Sequence, residues 1–417
     1  MSSIRPNHLR LGDIKLEAPN KTKCFLHQSF AKLQVLPFNT SIFKHNQSTI
    51  MTDSNPQVLI VGGGIVGLTA SLFLSYHNIT SLLVERHTGT SIHPRGRSLN
   101  ARSMEIYRSL GIDEDIRAAG AELGPAMGIY RGASLASVIE PHKRSSSDAP
   151  ARKIPGAWLL DNLGPVGRAW ATQDMTEHVL LAAARQKGGD VRFNTEPISF
   201  TQDSSGVTAI ILDRLTGLKS TVKAAYLIAA DGAESPIRKH LDISTTGSGP
   251  LGHLLNISFE ADLTEFVKGR EFSLCLINRP EDSIRGLFNS INNSTRWGFH
   301  LSYSPPSGPS PSDFSPETCA EIIKIALGIP NVDVKVKAIL PWEPTVKVVT
   351  KMQVGRVFFA GEAAHQMPPW GGQGANSGIA DVHNLAWKLA FVLNNHSSPS
   401  LLSTYETERF PSGEIGR

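Results

Sequence analysis

An apolar run, Val58 to Val61, opens the patterned part of the chain and predicts a strand. After Gly62, Gly64 and Gly67 the period changes. Leu68, Leu72 and Phe73 recur at helical spacing, and "TSLLVE" then predicts a second strand ending on Glu85. Two further apolar strands are predicted downstream, Tyr226 to Ala230 and Val357 to Ala360. From about Asn376 a helix is predicted, because Ile379, Val382, Leu385, Leu389 and Val392 recur every three or four residues and give it one apolar face. The interval 245–349 reads differently. "LLNISFEADL", "FSLCLIN", "RGLFNSI" and "RWGFHLSYSP" predict strands, followed by a Pro/Ser-rich loop, a helix over Thr318–Leu327 and the strand "VDVKVKAIL".

Composition narrows the class. With 417 residues, 40% hydrophobic and 19% charged, the chain has the make-up of a globular protein with room for two domains or one large discontinuous one. No apolar run reaches the roughly 18 residues of a membrane span. Cys24, Cys275 and Cys319 have neither disulfide-framework nor metal-ligand spacing. The net charge of +4 comes from the first 50 residues, where Arg5, Arg10, Lys15, Lys21, Lys23, Lys32 and Lys44 face only Asp13 and Glu17. The rest is near neutral and has no basic run, which argues against nucleic acid as a partner. Residues 1–55 lack fold-forming periodicity. A translation start at Met51 explains this best, and a basic, acid-poor targeting peptide (mitochondrial in that case) is the alternative to a cytoplasmic protein.

The glycines carry the first chemistry. In Gly62-x-Gly64-x-x-Gly67, between strand and helix, the first glycine makes the tight turn, the second lets a pyrophosphate reach the backbone, and the third lets helix and strand pack. Glu85 follows about 20 residues on, where an acid meets a ribose hydroxyl. NAD(H) and FAD remain alternatives on this evidence. Two later segments separate them. Asp231-Gly232 and Gly361-Glu362 each put an acid at a strand end, suited to a polyol chain. Behind the second, Gly371, Gly372 and Gly374 precede, and Gly378 lies within, a helix whose positive end stabilises the negative edge of a reduced flavin ring.

These motifs, in this order over positions 57 to about 410, resemble the class A flavoprotein monooxygenases typified by para-hydroxybenzoate and phenol hydroxylases, including their polyketide-tailoring branch. The resemblance implies an α/β fold: a discontinuous Rossmann-type FAD-binding domain (βαβ plus β-meander, 56–244 and 350–400) with an inserted antiparallel-sheet substrate domain (245–349). It implies FAD contacts at Gly62, Gly64, Gly67, Glu85, Arg86, Arg97, Gln173, Asp231, Gly232, Glu362, Gly374 and Ala375. "PRGRSLNARSMEIYRSLGI" carries Arg97, with Arg95 and Arg102 as alternatives. The implied reaction uses NADPH or NADH to reduce FAD. O2 then gives a flavin C4a-hydroperoxide that hydroxylates or epoxidises a small hydrophobic, aromatic or polyketide molecule in secondary metabolism. A homodimer fits the same family, and neither a metal nor a catalytic triad is expected. Other flavin chemistry (oxidase, reductase or halogenase), an NAD-dependent dehydrogenase and an inactive truncated remnant are the competing readings.

Two departures stand out. Glu362 occupies a position where the family usually has aspartate; the longer side chain is expected to be tolerated with altered ribityl contacts. Residues 401–417 are read as a truncated C-terminal helix without the thioredoxin-like domain of phenol-hydroxylase relatives. On the substrate side, Phe288, Trp297, Phe299, His300 and Tyr303 are pocket candidates. For each aromatic a core position is the simpler expectation, and His365 is expected to be structural.

Overall fold

The computed structural model describes residues 55–123, 128–139, 164–305, 310–369 and 372–415. The leader of residues 1–54, with its expected start at Met51 or targeting peptide, lies outside them, as do Gly371 and the last two residues. No helix among the described residues is long and apolar enough to cross a membrane.

The chain begins its fold as an apolar βαβ unit. Strand β1 (Val58–Val61) runs into helix α1 (Ile65–Tyr76) and returns as β2 (Ser81–Val84). β1 pairs in parallel with β2 on one side and with β3 (Tyr226–Ala229) on the other. All four residues of β1 and of β3 are buried, as strands covered on both faces require. From edge to edge the sheet runs Gln353–Val354, Val357–Phe359, β3, β1, β2, Asp190–Arg192. Only Gln353–Val354 is antiparallel. The chain builds outward from β1 to β2 on one side and later adds β3 on the other, and such a switch in strand order is where sheets of this kind bind ligands, at the carboxyl ends of the strands. The antiparallel meander Thr195–Gln202, Val207–Asp213, Lys219–Ala224 completes the expected α/β arrangement.

Helices from both halves of the chain pack around this unit. α2 (Ala101–Ser109) and α3 (Gln173–Gln186) come from the first half of the chain. In the second half, β4 (His253–Glu260), β5 (Leu274–Arg279), β6 (Ile284–Ser290), β7 (Arg296–Tyr303), α4 (Pro316–Leu327) and β8 (Lys335–Trp342) build the second sheet and its covering helix. α5 (Gln373–Leu393) then packs on α1, and α6 (Thr404–Ile415) packs on α5. α5 starts at Gln373, earlier than the Asn376 expected from apolar periodicity. Gly372, in the left-handed region at φ 64°, caps it, and its first turn carries no large apolar residue to reveal the start.

The second sheet has the order β8, β4, β7, β6, β5, Ile129–Gly132. Its sixth strand comes from outside 245–349 and pairs in parallel with β5. A four-residue strand, Ile-Tyr-Arg-Gly, alternating between exposed and half-buried positions, is too short to give a periodic signal, so the sequence did not reveal it. The sheet is two-faced because side chains alternate. Odd-numbered positions of β4 and β7 (Leu255, Ile257, Phe259; Trp297, Phe299, Leu301) enter a core with Phe288, Cys275 and α4. Trp297, Phe288 and Phe299 are at most 1% exposed. The Trp297 indole N–H donates to the Ala261 carbonyl at 2.9 Å, and the Phe288 and Phe299 ring centroids are 4.4 Å apart. These three pocket candidates are therefore core residues. Tyr303 shares their parity and packs against the edge of the same core.

Phe299→Ala removes the ring that closes this core and is expected to cost about 3–5 kcal/mol. A urea-denaturation midpoint close to that of the parent protein would contradict the assignment.

Candidate functional site

The carboxyl ends of the parallel strands gather the candidate residues. Gly62 follows β1, Glu85 follows β2, Asp231 lies two residues past β3, and Gly361 two past Val357–Phe359. Gly62 adopts φ +111°, and a Cβ there would lie 2.1 Å from the Ala230 carbonyl oxygen. A Cβ on Gly67 would lie 1.8 Å from the Gly62 oxygen. Both glycines are demanded by backbone approach within the protein. Gly64 is different: a Cβ would sit at an ordinary 3.5 Å from Glu177 Oε1, and its freedom is left for something else. Gly64 caps α1, whose first turn contains no acid, so the unpaired N–H groups there suit an anion.

Glu85 already braces this turn. Its Oε2 accepts from the Gly63 N–H at 2.6 Å and its Oε1 from the His87 N–H at 2.8 Å. Arg86 beside it is exposed, and its carbonyl accepts from Arg214 at 2.9 Å. Asp231 is less satisfied. Oδ2 accepts from the Ile237 N–H at 3.2 Å, but Oδ1 is shut off from solvent without a partner among the described residues. Burial raises the carboxyl pKa, opposed by Ser235 and the Ile237 N–H. An orphaned carboxylate oxygen at these strand ends is a ready acceptor for a ligand hydroxyl. A Cβ on neighbouring Gly232 (φ +84°) would meet nothing within 4 Å. Buried Arg238 ties this loop to the next strand end, donating to Ala363 O at 3.0 Å and Ala233 O at 2.6 Å. Glu362, in contrast to Asp231, is exposed on a single turn of 3₁₀ helix, so the two acids are not equivalent.

The glycines of the 361–378 segment fall into two groups. Cβ atoms on Gly361 and Gly378 would lie 2.8 and 2.5 Å from Val66 Cγ2, so Gly378 lets α5 approach α1 and Gly361 lets the turn after Val357–Phe359 do the same. Gly372 and Gly374 have nothing within 4 Å of a Cβ, and the backbone of Gly374 and Ala375 forms the open first turn of α5. That turn is fixed by Asn376. Its Oδ1 accepts from the Asn100 N–H at 2.9 Å and the Ser103 hydroxyl at 2.7 Å, and its amide N–H donates to Gly372 O at 2.7 Å. One side chain thus joins the N-termini of α2 and α5.

Below it, Asp381 is fully buried. Its Oδ2 sits 2.7 Å from His365 Nε2 and accepts from the Gly361 N–H at 3.1 Å, while Oδ1 accepts from Arg409 Nε at 2.8 Å. Burial pushes its pKa up, but His365 and Arg409 outweigh this and hold it below the usual carboxylate value. His365 is accordingly a structural partner of a buried acid.

Toward the second sheet, Arg97 places Nη1 3.4 Å from Asn289 Oδ1 of β6, and burial lowers its pKa to about 10, leaving a cation at neutral pH. Gln173 donates to Glu177 Oε1 at 2.6 Å, and Glu177 Oε2 accepts from the Ser91 N–H at 2.7 Å. Burial raises the Glu177 pKa, opposed by those bonds and by Arg95. Gln173 therefore reaches the dinucleotide turn through Glu177, a residue with no sequence signal. Beyond Arg97 a cavity opens between the 93–95 loop and the even-numbered face of the sheet, lined by Arg95, Asn256, Ser258, Asn289 and His300. Of the five pocket candidates, only His300 lines it.

The two groups of glycines predict opposite responses. Gly374→Ala is expected to stabilise the ligand-free protein by up to about 1 kcal/mol, as alanine replaces a helical glycine, while weakening retention of a bound dinucleotide. Gly378→Ala, with its Cβ 2.5 Å from Val66, is expected to destabilise it. Paired thermal melts of the two variants check the assignment, and the reverse order would refute it.

The family described as "FAD binding domain" matches residues 55–414. A Streptomyces halstedii protein assigned as a polyketide hydroxylase is 41% identical over 367 residues, covering 86% of this chain and 63% of its own length. Tetracenomycin A2 monooxygenase-dioxygenase of Streptomyces glaucescens is 39% identical over 393 residues, covering 87% and 66%. This chain thus spans less than two thirds of these relatives. Among solved structures, aklavinone-11 hydroxylase in complex with FAD and aklavinone superposes with a TM-score of 0.76 at 33% identity, over 88% of this chain and 68% of that one. Such a match takes in both sheets, the glycine turn, both strand-end acids and the bare start of α5, and on that ground the chain belongs to the FAD binding domain family.

Proposed function

We propose that this chain is an FAD-dependent monooxygenase that uses NAD(P)H and O2 to hydroxylate an aromatic polyketide or a similar small hydrophobic molecule. The observation that carries the reading is a pair of polar features: the glycine turn with the orphaned Asp231 Oδ1 at the strand ends, and Arg97 within 3.4 Å of Asn289 of the second sheet. A cofactor held at the first presents its reactive end to the cavity at the second. The relatives named for tetracenomycin and aklavinone support the substrate class.

FAD, when bound, would supply the redox chemistry of a monooxygenation in which NAD(P)H is the reductant and the second oxygen atom of O2 ends as water. The protein binds and orients. Gly62, Gly64 and Gly67 with the α1 N-terminus receive the pyrophosphate, and Glu85 receives the ribose with Arg86 alongside. Asp231 Oδ1 and Gly232 meet the polyol chain, with Glu362 as a second, more exposed acceptor. The N–H groups of Gly374 and Ala375 hold the negative ring edge. Arg97 contributes a nearby positive charge, and Gln173 steadies Glu177 under the turn. In this reading 56–244 and 350–400 form the cofactor part and 245–349 the substrate part, supplemented by Ile129–Gly132.

Purified protein is expected to be yellow, with bands near roughly 375 and 450 nm as general to the cofactor. NADPH should bleach them anaerobically, and under 18O2 one labelled oxygen should enter an aromatic product. A colourless preparation after incubation with excess FAD would end this reading; unlabelled product with hydrogen peroxide would replace it with an oxidase. Asp231→Ala is expected to weaken FAD retention about tenfold or more, the scale of one charged hydrogen bond, measured by equilibrium dialysis.

A further inference from the structure

On the cavity side of the second sheet, β4 and β7 pair with Asn256 opposite His300 and Ser258 opposite Gly298. Directly opposed residues share a face, and His300 Nδ1 lies 2.5 Å from Asn256 Oδ1. An amide oxygen only accepts, so Nδ1 carries the proton and the tautomer is fixed. Nε2 is then a lone-pair acceptor on a ring that lines the cavity. Burial lowers the pKa of this imidazole to about 4, so it stays neutral at physiological pH and is a poor proton acceptor in the full sense of base catalysis. Next to it, Gly298 leaves a flat floor: a Cβ there would approach nothing closer than Asn289 at 3.7 Å.

We propose that His300 is a specificity-determining residue that accepts, through Nε2, a hydrogen bond from a hydroxyl of a planar aromatic ligand lying over Gly298, and that Asn256 is the positioning residue that fixes its tautomer. The substrate is thereby a hydroxylated ring system rather than a bare hydrocarbon. This rests on the oxygenase reading only in calling the ligand a substrate. A neutral acceptor binds the hydroxyl without removing its proton, so the selection acts on binding and leaves the ligand protonated. A site built to pair a hydroxyl rejects the analogue without it, because its own polar group is left unpaired.

The test uses FAD-loaded protein titrated with two probes, an anthraquinone bearing one lateral hydroxyl and unsubstituted anthraquinone, followed by quenching of flavin fluorescence. The parent protein should prefer the hydroxylated probe by about five- to tenfold, the value of one neutral hydrogen bond. His300→Leu should bind both probes alike, with affinity for the bare ring retained. Asn256→Leu should lose most of the preference and Asn256→Asp, which keeps an acceptor for Nδ1–H, should restore it; a purely structural role for Asn256 would not show this rescue. Equal binding of the two probes by the parent, or a preference that survives in His300→Leu, overturns the proposal. If His300→Leu does not retain FAD, the parent and Asn256 series still decide. Oxygen insertion measured on the same preparation judges the oxygenase reading separately: insertion without hydroxyl preference sinks only the present inference, and preference without insertion sinks only that reading.

Discussion

The site depends on a single buried carboxylate. Asp381, inside α5, has no access to water, and an ion there is tolerable only because three donors surround it. Those donors come from different places: the Gly361 backbone, the His365 ring and Arg409 of α6. Satisfying one charge therefore fixes the strand end that carries Gly361, the following turn, and the angle at which α5 leaves it. The open helix start at Gly374 and Ala375 is held in place as a result. A second pair on the same helix, Lys388 with Glu408 at 2.8 Å, has the opposite sense, so α6 can lie on α5 in only one register.

The second constraint is alternation. In the middle of β4 and β7, side chains alternate between the aromatic core and the cavity side, and neighbours along a strand point to opposite faces. The core side is closed by Phe288, Phe299, Trp297 and α4. The cavity side is polar, with Asn256, Ser258, Asn289 and His300, and it faces the arginines of the 93–97 segment. Packing thus makes the wall rigid, and the polar side chains stand on its opposite face.

Much of this was legible in the sequence. The βαβ unit, the acids at strand ends and the glycine-rich entry to α5 are local patterns, set within a few residues by turn geometry and apolar runs. What stayed hidden depends on distant partners. Gly361 and Gly378 look like the other glycines until Val66 is seen to fill the space beside them. Glu177 and Asp381 are buried acids on amphipathic helices, where a charged letter normally reads as solvent-facing. The strand Ile129–Gly132 joins a sheet whose other members begin more than a hundred residues later. His300 and Tyr303 were equal candidates by composition, and only their parity along β7 separates them.

That parity also limits how such a wall diversifies. Inserting or deleting one residue in Arg296–Tyr303 would send Phe299 into the cavity and His300 into the core, exchanging the two surfaces wholesale. Evolution of ligand preference on this scaffold must therefore proceed by replacement at alternate letters, with the intervening aromatics left untouched as ballast.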